Sequence, residues 1–221
     1  MRVLTLETAT PVEEVAVVER GAVLAARALV AGRGRAEELI VAVAGVLAES
    51  KTALRALSAI AVSAGPGRFT GLRVGLSTAK GLAAVSGVPV LPVPTLEALA
   101  RSADAEAGLV APALDARRGE VYGALFEVGG RAARILDDVA ASPREFAERA
   151  LNAARGRPVL LVGTGAAAYR DELSAAFGAA ASFATPDLLR PAPTAIAAIA
   201  ADAAGRAPDL EAVEPVYLRG V

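Results

Sequence analysis

Residues 58–85 read SAIAVSAGPGRFTGLRVGLSTAKGLAAV, and this stretch decides the expected fold class. The apolar run Ser58–Ser63 predicts a buried strand, which Gly65-Pro66-Gly67 then breaks. The following segment, Thr70–Val85, has the length and apolar pattern of a helix. A strand, a glycine-rich turn and a helix in direct succession indicate an α/β protein.

The flanking sequence extends this unit on both sides. Upstream, three short apolar runs separated by tight turns predict an antiparallel meander of strands, and a helix follows at Arg35–Ser50. Downstream, Val90–Val93 predicts a strand and Thr95–Ser102 a helix. Three strands followed by alternating strands and helices then recur from Leu109 onward, with one helix expected after Gly165, and without any repeat of the sequence itself.

This repeated order of elements predicts two α/β lobes of one plan with a cleft between them. We expect an N-terminal lobe over residues 1–105, to which the tail at about 205–221 returns. The smaller second lobe is expected over residues 106–204.

The composition excludes several kinds of chemistry. The 221 residues include neither histidine nor cysteine. An imidazole base, a Ser/His/Asp triad, a Cys/His dyad and a zinc site with histidine or thiolate ligands therefore cannot occur. Any catalysis would have to use carboxylates, lysine, tyrosine, hydroxyls or backbone groups.

The charge and hydropathy of the chain limit the classes of partner that it is expected to bind. With 23 basic and 24 acidic residues the net charge is -1, whereas nucleic-acid binders usually carry a basic excess, so strong unaided RNA binding is not expected. The longest apolar run, Leu39–Ala48, is about half of the roughly 20 residues that span a bilayer. Glu7 comes too early for the apolar region of a signal peptide. We predict a cytoplasmic protein without membrane association.

Four stretches carry residues that could contact a phosphate or a metal. Glu7 and Thr8 lie where the first strand turns into the second, so they could face a cleft, or they could form a structural turn. Asp115 lies in a charged hairpin, where salt bridges to the neighbouring arginines are the alternative. Gly163 and Gly165 follow a predicted strand, and Gly65-Pro66-Gly67 could be an anion cradle or a tight structural turn.

Glycines inside the helix Thr70–Val85 suggest a close contact. Gly71, Gly75 and Gly81 each cost roughly 1 kcal/mol relative to alanine, and the first two share one face. That face could pack on the protein's own elements or on a partner, and the helix Arg35–Ser50 is itself apolar nearly all round. The residues expected at a partner or dimer interface are Leu39, Val43, Val46, Leu72, Gly75, Leu76 and Ala79.

The sequence resembles the bacterial TsaB family, also called YeaZ, over nearly its whole length. The resemblance is carried by LTLETAT at 4–10, AIAVSAGPGRFTGLRVGLSTAKGLA at 59–83, PVPTLEALA at 92–100, LDARRGEVY at 114–122 and EPVYLRG at 214–220. Two departures are visible: the family usually has Asp at Glu7, and often His-Ser-Glu at Arg35-Ala36-Glu37.

The resemblance implies a fold of two actin-like or sugar-kinase-like (ribonuclease H-like) lobes, each a mixed sheet with helices. It implies a non-catalytic partner of TsaD in making N6-threonylcarbamoyladenosine at position 37 of tRNAs that read codons beginning with A. TsaD would bind directly, TsaE would join the complex, and tRNA would be contacted only through the complex. The chain alone would form a homodimer through the same helices.

The resemblance also implies no catalytic residue, cofactor or metal site. Glu7, Thr8, Asp115, Gly163 and Gly165 would then be weak remnants of a nucleotide cleft. The alternative is a small-molecule kinase or ATPase of the same superfamily, with Glu7 or Asp115 near a magnesium-phosphate group. A peptidase is disfavoured because neither a nucleophile–base pair nor a set of metal ligands can be assembled.

Overall fold

A computed structural model describes residues 1–30, 36–103, 108–129, 131–184 and 188–219. The strands are β1 (Arg2–Glu7), β2 (Val12–Glu19), β3 (Ala22–Val30), β4 (Ala59–Gly65), β5 (Val90–Pro94), β6 (Gly108–Arg117), β7 (Glu120–Gly129), β8 (Arg131–Ala141), β9 (Val159–Val162) and β10 (Ala181–Phe183). The helices are α1 (Ala36–Glu49), α2 (Phe69–Ser86), α3 (Thr95–Ser102), α4 (Pro143–Ala154), α5 (Thr164–Ala168), α6 (Arg170–Phe177) and α7 (Pro193–Asp202).

The first compact unit comprises Met1–Thr95 and Ala192–Val216. Its five-stranded sheet has the order β3-β2-β1-β4-β5. The first three strands pair antiparallel, whereas β4 and β5 join in parallel. The sequence prediction of a meander followed by strand–helix alternation is confirmed here.

Helices cover both faces of this sheet. Leu4 and Leu6 of β1 lie in one core with residues of α1 and α2. Helix α7 packs across β1, β2 and β4. Because successive strand residues point to opposite faces, α1 and α2 lie on one face and α7 lies on the other.

The second unit comprises residues 96–191 and the tail from Tyr217. Its sheet has the order β10-β9-β6-β7-β8, with β6, β7 and β8 antiparallel and β9 and β10 added in parallel. Phe146 of α4 is fully buried in its core with Leu125 of β7. Two mixed sheets of the same plan confirm the predicted α/β fold class.

The division into units differs from the expected boundaries at two helices. Helix α3 belongs to the second unit, where Leu96 and Leu99 are fully buried beside Phe126. Helix α7, expected in the second lobe, packs on the first sheet because β1, β2 and β4 have a second apolar face to cover. The expected boundary residue 105 lies outside the described residues.

Two short elements are absent from the sequence expectations. The single helix expected after Gly165 is divided at Tyr169 into α5 and α6. Strand β10 has three residues, which is too short for an alternation pattern to reveal. Helix α1 is described from Ala36, so its expected first residue, Arg35, lies outside the described part of the chain.

Candidate functional site

The turn between β1 and β2 is held by the carboxylate of Glu7. Its Oε1 accepts hydrogen bonds from the backbone N–H of Ala9 at 2.8 Å and of Thr10 at 3.0 Å. Its Oε2 accepts a hydrogen bond from the Ser63 hydroxyl at the end of β4. Both carboxylate oxygens are therefore engaged inside the first unit.

Burial changes the titration of this carboxyl group. Desolvation raises the pKa of Glu7, and the hydrogen bonds from Ser63, Ala9 and Thr10 oppose that rise, so that the resulting pKa is about 7 against an ordinary value of about 4.5. Glu7 is 1% exposed. Its protonation state therefore changes near neutral pH although the side chain has almost no contact with solvent.

The turn between β1 and β2 packs against three glycines that are spaced four residues apart. A Cβ on Gly67 would lie 2.6 Å from the Ala9 Cβ, and one on Gly71 would lie 1.9 Å from the Thr8 carbonyl oxygen. A Cβ on Gly75 would lie 2.2 Å from the Thr8 Oγ1. Real Cβ atoms do not make contacts this short. The turn can therefore lie directly on the backbone at the start of α2 only because these three residues have no side chain.

Thr8 is part of this packing. It is fully buried, and its Oγ1 has no hydrogen-bond partner among the described residues. The arrangement supports the structural interpretation of the turn, because Glu7 stabilises its own loop and Thr8 packs on α2. A hydrated magnesium ion would need carboxylate oxygens that here already accept hydrogen bonds.

The other three expected cleft residues lie together in the second unit. Asp115 Oδ1 accepts hydrogen bonds from the Arg117 backbone N–H at 2.8 Å and from the Tyr169 hydroxyl at 3.2 Å. The Arg117 guanidinium forms an ion pair with Asp115 at 3.3 Å. An ion pair with a neighbouring arginine is the alternative to a metal or phosphate role that the sequence indicated for Asp115.

Gly163 and Gly165 let α5 approach β6. A Cβ on Gly163 would lie 2.5 Å from the Ala113 carbonyl oxygen, and one on Gly165 would lie 2.8 Å from the Leu114 carbonyl carbon. The Thr164 Oγ1 accepts a hydrogen bond from the Asp115 backbone N–H at 3.1 Å. Both glycines therefore have a packing role within the second unit.

A cavity of about 200 Å³ lies beside Gly163. Its lining is apolar except for Arg170, whose guanidinium lies 4.3 Å from the centre of the Phe183 ring. None of the residues described as lining it is acidic, so this cavity offers no described carboxylate to a metal–phosphate group.

The residues expected at an interface are core residues, and that expectation is wrong. Leu39, Val43, Val46, Leu72, Leu76 and Ala79 are at most 3% exposed, and Gly75 is buried against Thr8. On both helices the expected row of residues is the one that packs on the sheet. A Gly75→Glu substitution would therefore disrupt the first unit itself rather than report on a partner.

The outward side of α1 and α2 carries other apolar residues. Ile40 and Val41 on α1 are 46% and 65% exposed, and Val85 on α2 is 66% exposed. Phe69 is 41% exposed, with the Arg73 guanidinium 3.9 Å from its ring centre. We call these residues, together with Gly81, the outer helical face.

Gly81 is the glycine in α2 that packing within the described residues does not explain. A Cβ there would meet nothing within 4 Å. Sequence reasoning overlooked this difference because the three glycines of α2 look alike in the sequence. It also overlooked Ser63, whose signal is a hydroxyl at the end of an otherwise apolar strand, two residues before Gly65.

The described residues hold neither a metal-ligand cluster nor a membrane span. No group of three or more acidic, histidine or cysteine side chains there is placed to share a metal ion. No helix in the same ranges combines the length and hydropathy needed to cross a bilayer.

Comparison with protein families gives a match over most of the chain. The model of the TsaD family, described as tRNA N6-adenosine threonylcarbamoyltransferase, matches residues 29–216. The tRNA threonylcarbamoyladenosine biosynthesis protein TsaB of Bacillus subtilis is 28% identical over 220 residues, covering 99% of this chain and 94% of that protein. TsaB of Haemophilus influenzae is 33% identical over 184 residues, covering 76% of this chain and 74% of that protein.

A solved structure agrees with these matches. YeaZ from Pseudomonas aeruginosa is 28% identical and superposes with a TM-score of 0.80. The superposition covers 98% of this chain and 99% of the other. Sequence and structure therefore indicate the same relatives over nearly the whole length.

Proposed function

The chain belongs to the TsaB (YeaZ) family, and from that premise we propose that it is a non-catalytic partner of TsaD in the synthesis of N6-threonylcarbamoyladenosine. The product is the nucleoside at position 37 of tRNAs that read codons beginning with A. TsaD binds this chain directly, TsaE joins the complex, and tRNA is contacted only through the complex.

The observation that carries the non-catalytic role is the state of Glu7. The Glu7 carboxylate, in the turn between β1 and β2, accepts two backbone hydrogen bonds and one from Ser63, and it is buried. A group used in this way supports a loop and is not free to hold a hydrated metal or act as a base. The absence of histidine and cysteine removes the usual substitutes.

The outer helical face is the surface we assign to TsaD. It combines exposed aliphatic side chains on two adjacent helices with a glycine whose surroundings are open. Burial of Val41 and Val85 against a partner would contribute roughly 25 cal/mol for each Å² of apolar surface removed from water. An open glycine on such a face permits close approach of a partner's backbone.

Reconstitution tests this proposal. The purified chain should neither hydrolyse ATP nor modify tRNA alone, and its addition to a TsaD homologue with TsaE and the threonylcarbamoyl donor should raise transfer to tRNA. A Glu7→Gln protein should support transfer to within about tenfold of the unchanged chain. Loss of more than about a hundredfold in a folded Glu7→Gln protein, around 2.7 kcal/mol of transition-state free energy, would contradict the non-catalytic role.

A measurement of ATP binding distinguishes the proposed role from the alternative of a small-molecule kinase or ATPase. Calorimetric titration of the chain with ATP and magnesium should give no heat beyond dilution. A stoichiometric site for the nucleotide together with turnover of a small substrate would favour the kinase or ATPase interpretation instead.

A further inference from the structure

The turn between β6 and β7 carries two adjacent arginines in a backbone conformation that arginine rarely adopts. Arg117 at the end of β6 pairs with Glu120 of β7, so Arg118 and Gly119 form a two-residue loop. The φ angles of Arg117, Arg118 and Gly119 are 62°, 57° and 79°. Asparagine, aspartate and glycine tolerate positive φ best and are the usual residues of such loops. The backbone conformation therefore does not account for the arginines of this segment, which we call the arginine turn.

Asp115 and Tyr169 hold the arginine turn in place. Asp115 Oδ1 accepts hydrogen bonds from the Arg117 backbone N–H and from the Tyr169 hydroxyl. The other carboxylate oxygen of Asp115 forms the ion pair with the Arg117 guanidinium at 3.3 Å. The Arg117 side chain is nevertheless 78% exposed. The backbone of the turn is thus fixed from within the second unit while the Arg117 side chain reaches solvent.

The guanidinium groups around the arginine turn outnumber the carboxylates. Asp115 pairs with Arg117, and the carboxylate of Glu120 pairs with the guanidinium of Arg219 in the tail. Arg118 is exposed, and no carboxylate among the residues that the structure describes forms an ion pair with it. The turn therefore presents about one positive charge in excess, on the side chain of Arg118.

Arginines on two helices of the same unit have carboxylate partners of their own. On α3, Arg101 pairs with Glu97. On α4, Arg144 and Arg149 each pair with a glutamate. Every one of these pairs joins residues one helical turn apart, so the charge is compensated on the helix itself. Arg118 differs from these arginines because its own hairpin leaves its charge uncompensated.

We propose that the arginine turn binds a phosphate group of the tRNA backbone, with Arg118 as the contacting side chain. The proposal rests on the function proposed above, in which the complex with TsaD holds the tRNA. A guanidinium presents its N–H donors in a plane that matches two phosphate oxygens, so a phosphate supplies the counter-charge that Arg118 otherwise lacks among the described residues. A phosphate contact fixes position without sequence preference, which suits a complex that acts on more than one tRNA.

A single contact of this kind is too weak to hold tRNA by itself. The chain has a net charge of -1, so the excess at the arginine turn is local. Within a complex that already binds tRNA, the turn is held near the phosphates at a high effective concentration, and the contact adds to an affinity set elsewhere. The arginine turn is therefore expected to affect the tRNA affinity of the complex far more than that of the chain alone.

Substitution by asparagine separates a phosphate contact from a structural role. Arg118→Asn removes the charge and suits a positive φ, so the folded chain should be no less stable in urea denaturation. In the complex reconstituted with a TsaD homologue and TsaE, titration of labelled tRNA should show binding about threefold to tenfold weaker at physiological salt. The slope of log Kd against log salt concentration should fall by about one. Arg118→Lys keeps the charge and should retain most of that slope.

Arg155 provides the matched control. It is an exposed arginine of the same unit with a φ of 51°, and Gly156 follows it with a φ of 80°. Arg155 ends α4 and precedes β9, which runs parallel to β6. It therefore lies at the opposite end of the sheet from the turn that follows β6. The Arg155→Asn complex should keep both the tRNA affinity and the salt slope of the unchanged complex.

Two outcomes would overturn the proposal. Equal tRNA affinity and salt slope in the Arg118→Asn and Arg155→Asn complexes would remove the phosphate contact. Weaker binding of the Arg118→Asn chain to TsaD without tRNA would assign the turn to a protein partner instead. Both outcomes leave the proposed function intact, because the unchanged chain would still raise transfer to tRNA. Failure of the unchanged chain to raise transfer would contradict the proposed function, and this inference with it.

Discussion

At the scale of single residues, Glu7 makes stability depend on pH. Its folded-state pKa of about 7 lies above the ordinary 4.5, so between these values the folded chain holds a proton that the unfolded chain releases. The stabilising effect is complete below about pH 4.5 and is lost as pH rises towards 7. The total is roughly 3 kcal/mol, from the shift in pKa at 1.36 kcal/mol per unit.

A Glu7→Gln substitution should remove this dependence. The free energy of unfolding of the Glu7→Gln protein minus that of the unchanged chain should become more positive as pH rises from 4.5 to 7.5. Urea denaturation at each pH measures this difference. Glu148→Gln, at a carboxylate 61% exposed on α4, is the control and should show no such trend. A difference between Glu7→Gln and the unchanged chain that stays constant over this range would contradict the burial argument.

Substitution by alanine at two glycines of α2 should change the free energy of unfolding in opposite directions. Gly71→Ala forces a Cβ against the Thr8 carbonyl oxygen and should lower the free energy of unfolding by about 1–3 kcal/mol. Gly81→Ala meets open space and should raise it by about 1 kcal/mol through helix propensity. Urea denaturation measures both, and two changes of the same sign would show that the turn does not rest on α2 in this way.

At the scale of elements, the outward side of α2 is expected to bind TsaD. Gly81→Glu adds a carboxylate where the side chain meets no neighbour, so the chain should fold normally but bind a TsaD homologue at least about tenfold more weakly. Ala175→Glu on α6 adds the same charge to the second unit and should leave binding unchanged. Titration calorimetry gives both affinities, and equal binding by the two variants would remove the outer helical face as the docking surface.

At the scale of the whole molecule, the net charge of -1 limits direct affinity for tRNA. Few phosphates can be neutralised, so binding by the chain alone should be weak and should fall further as salt is raised. A titration of labelled tRNA with the chain, without TsaD or TsaE, measures this. Sub-micromolar affinity at physiological salt would show that the chain contacts tRNA by itself.

The sequence alone determined the order of elements and the chemistry that is excluded. Apolar alternation and glycine-rich turns are local signals, and they located β1 to β9 and the long helices because neighbouring residues decide backbone conformation. The absence of histidine and cysteine needs no structure to interpret. The alternative of a structural turn at Glu7 was visible, but Ser63 as its partner was not, because 56 residues separate the two.

The tertiary structure alone decided which side of each helix faces inward. Helix α1 is apolar on nearly every side, so its periodicity does not separate Leu39 in the core from Val41 in solvent. Gly71, Gly75 and Gly81 are the same residue in the same helix, and only the position of Thr8 distinguishes the first two from the third. Local patterns fix backbone conformation, whereas burial depends on contacts between residues far apart in the chain, which here form only when β1, β4 and α2 come together.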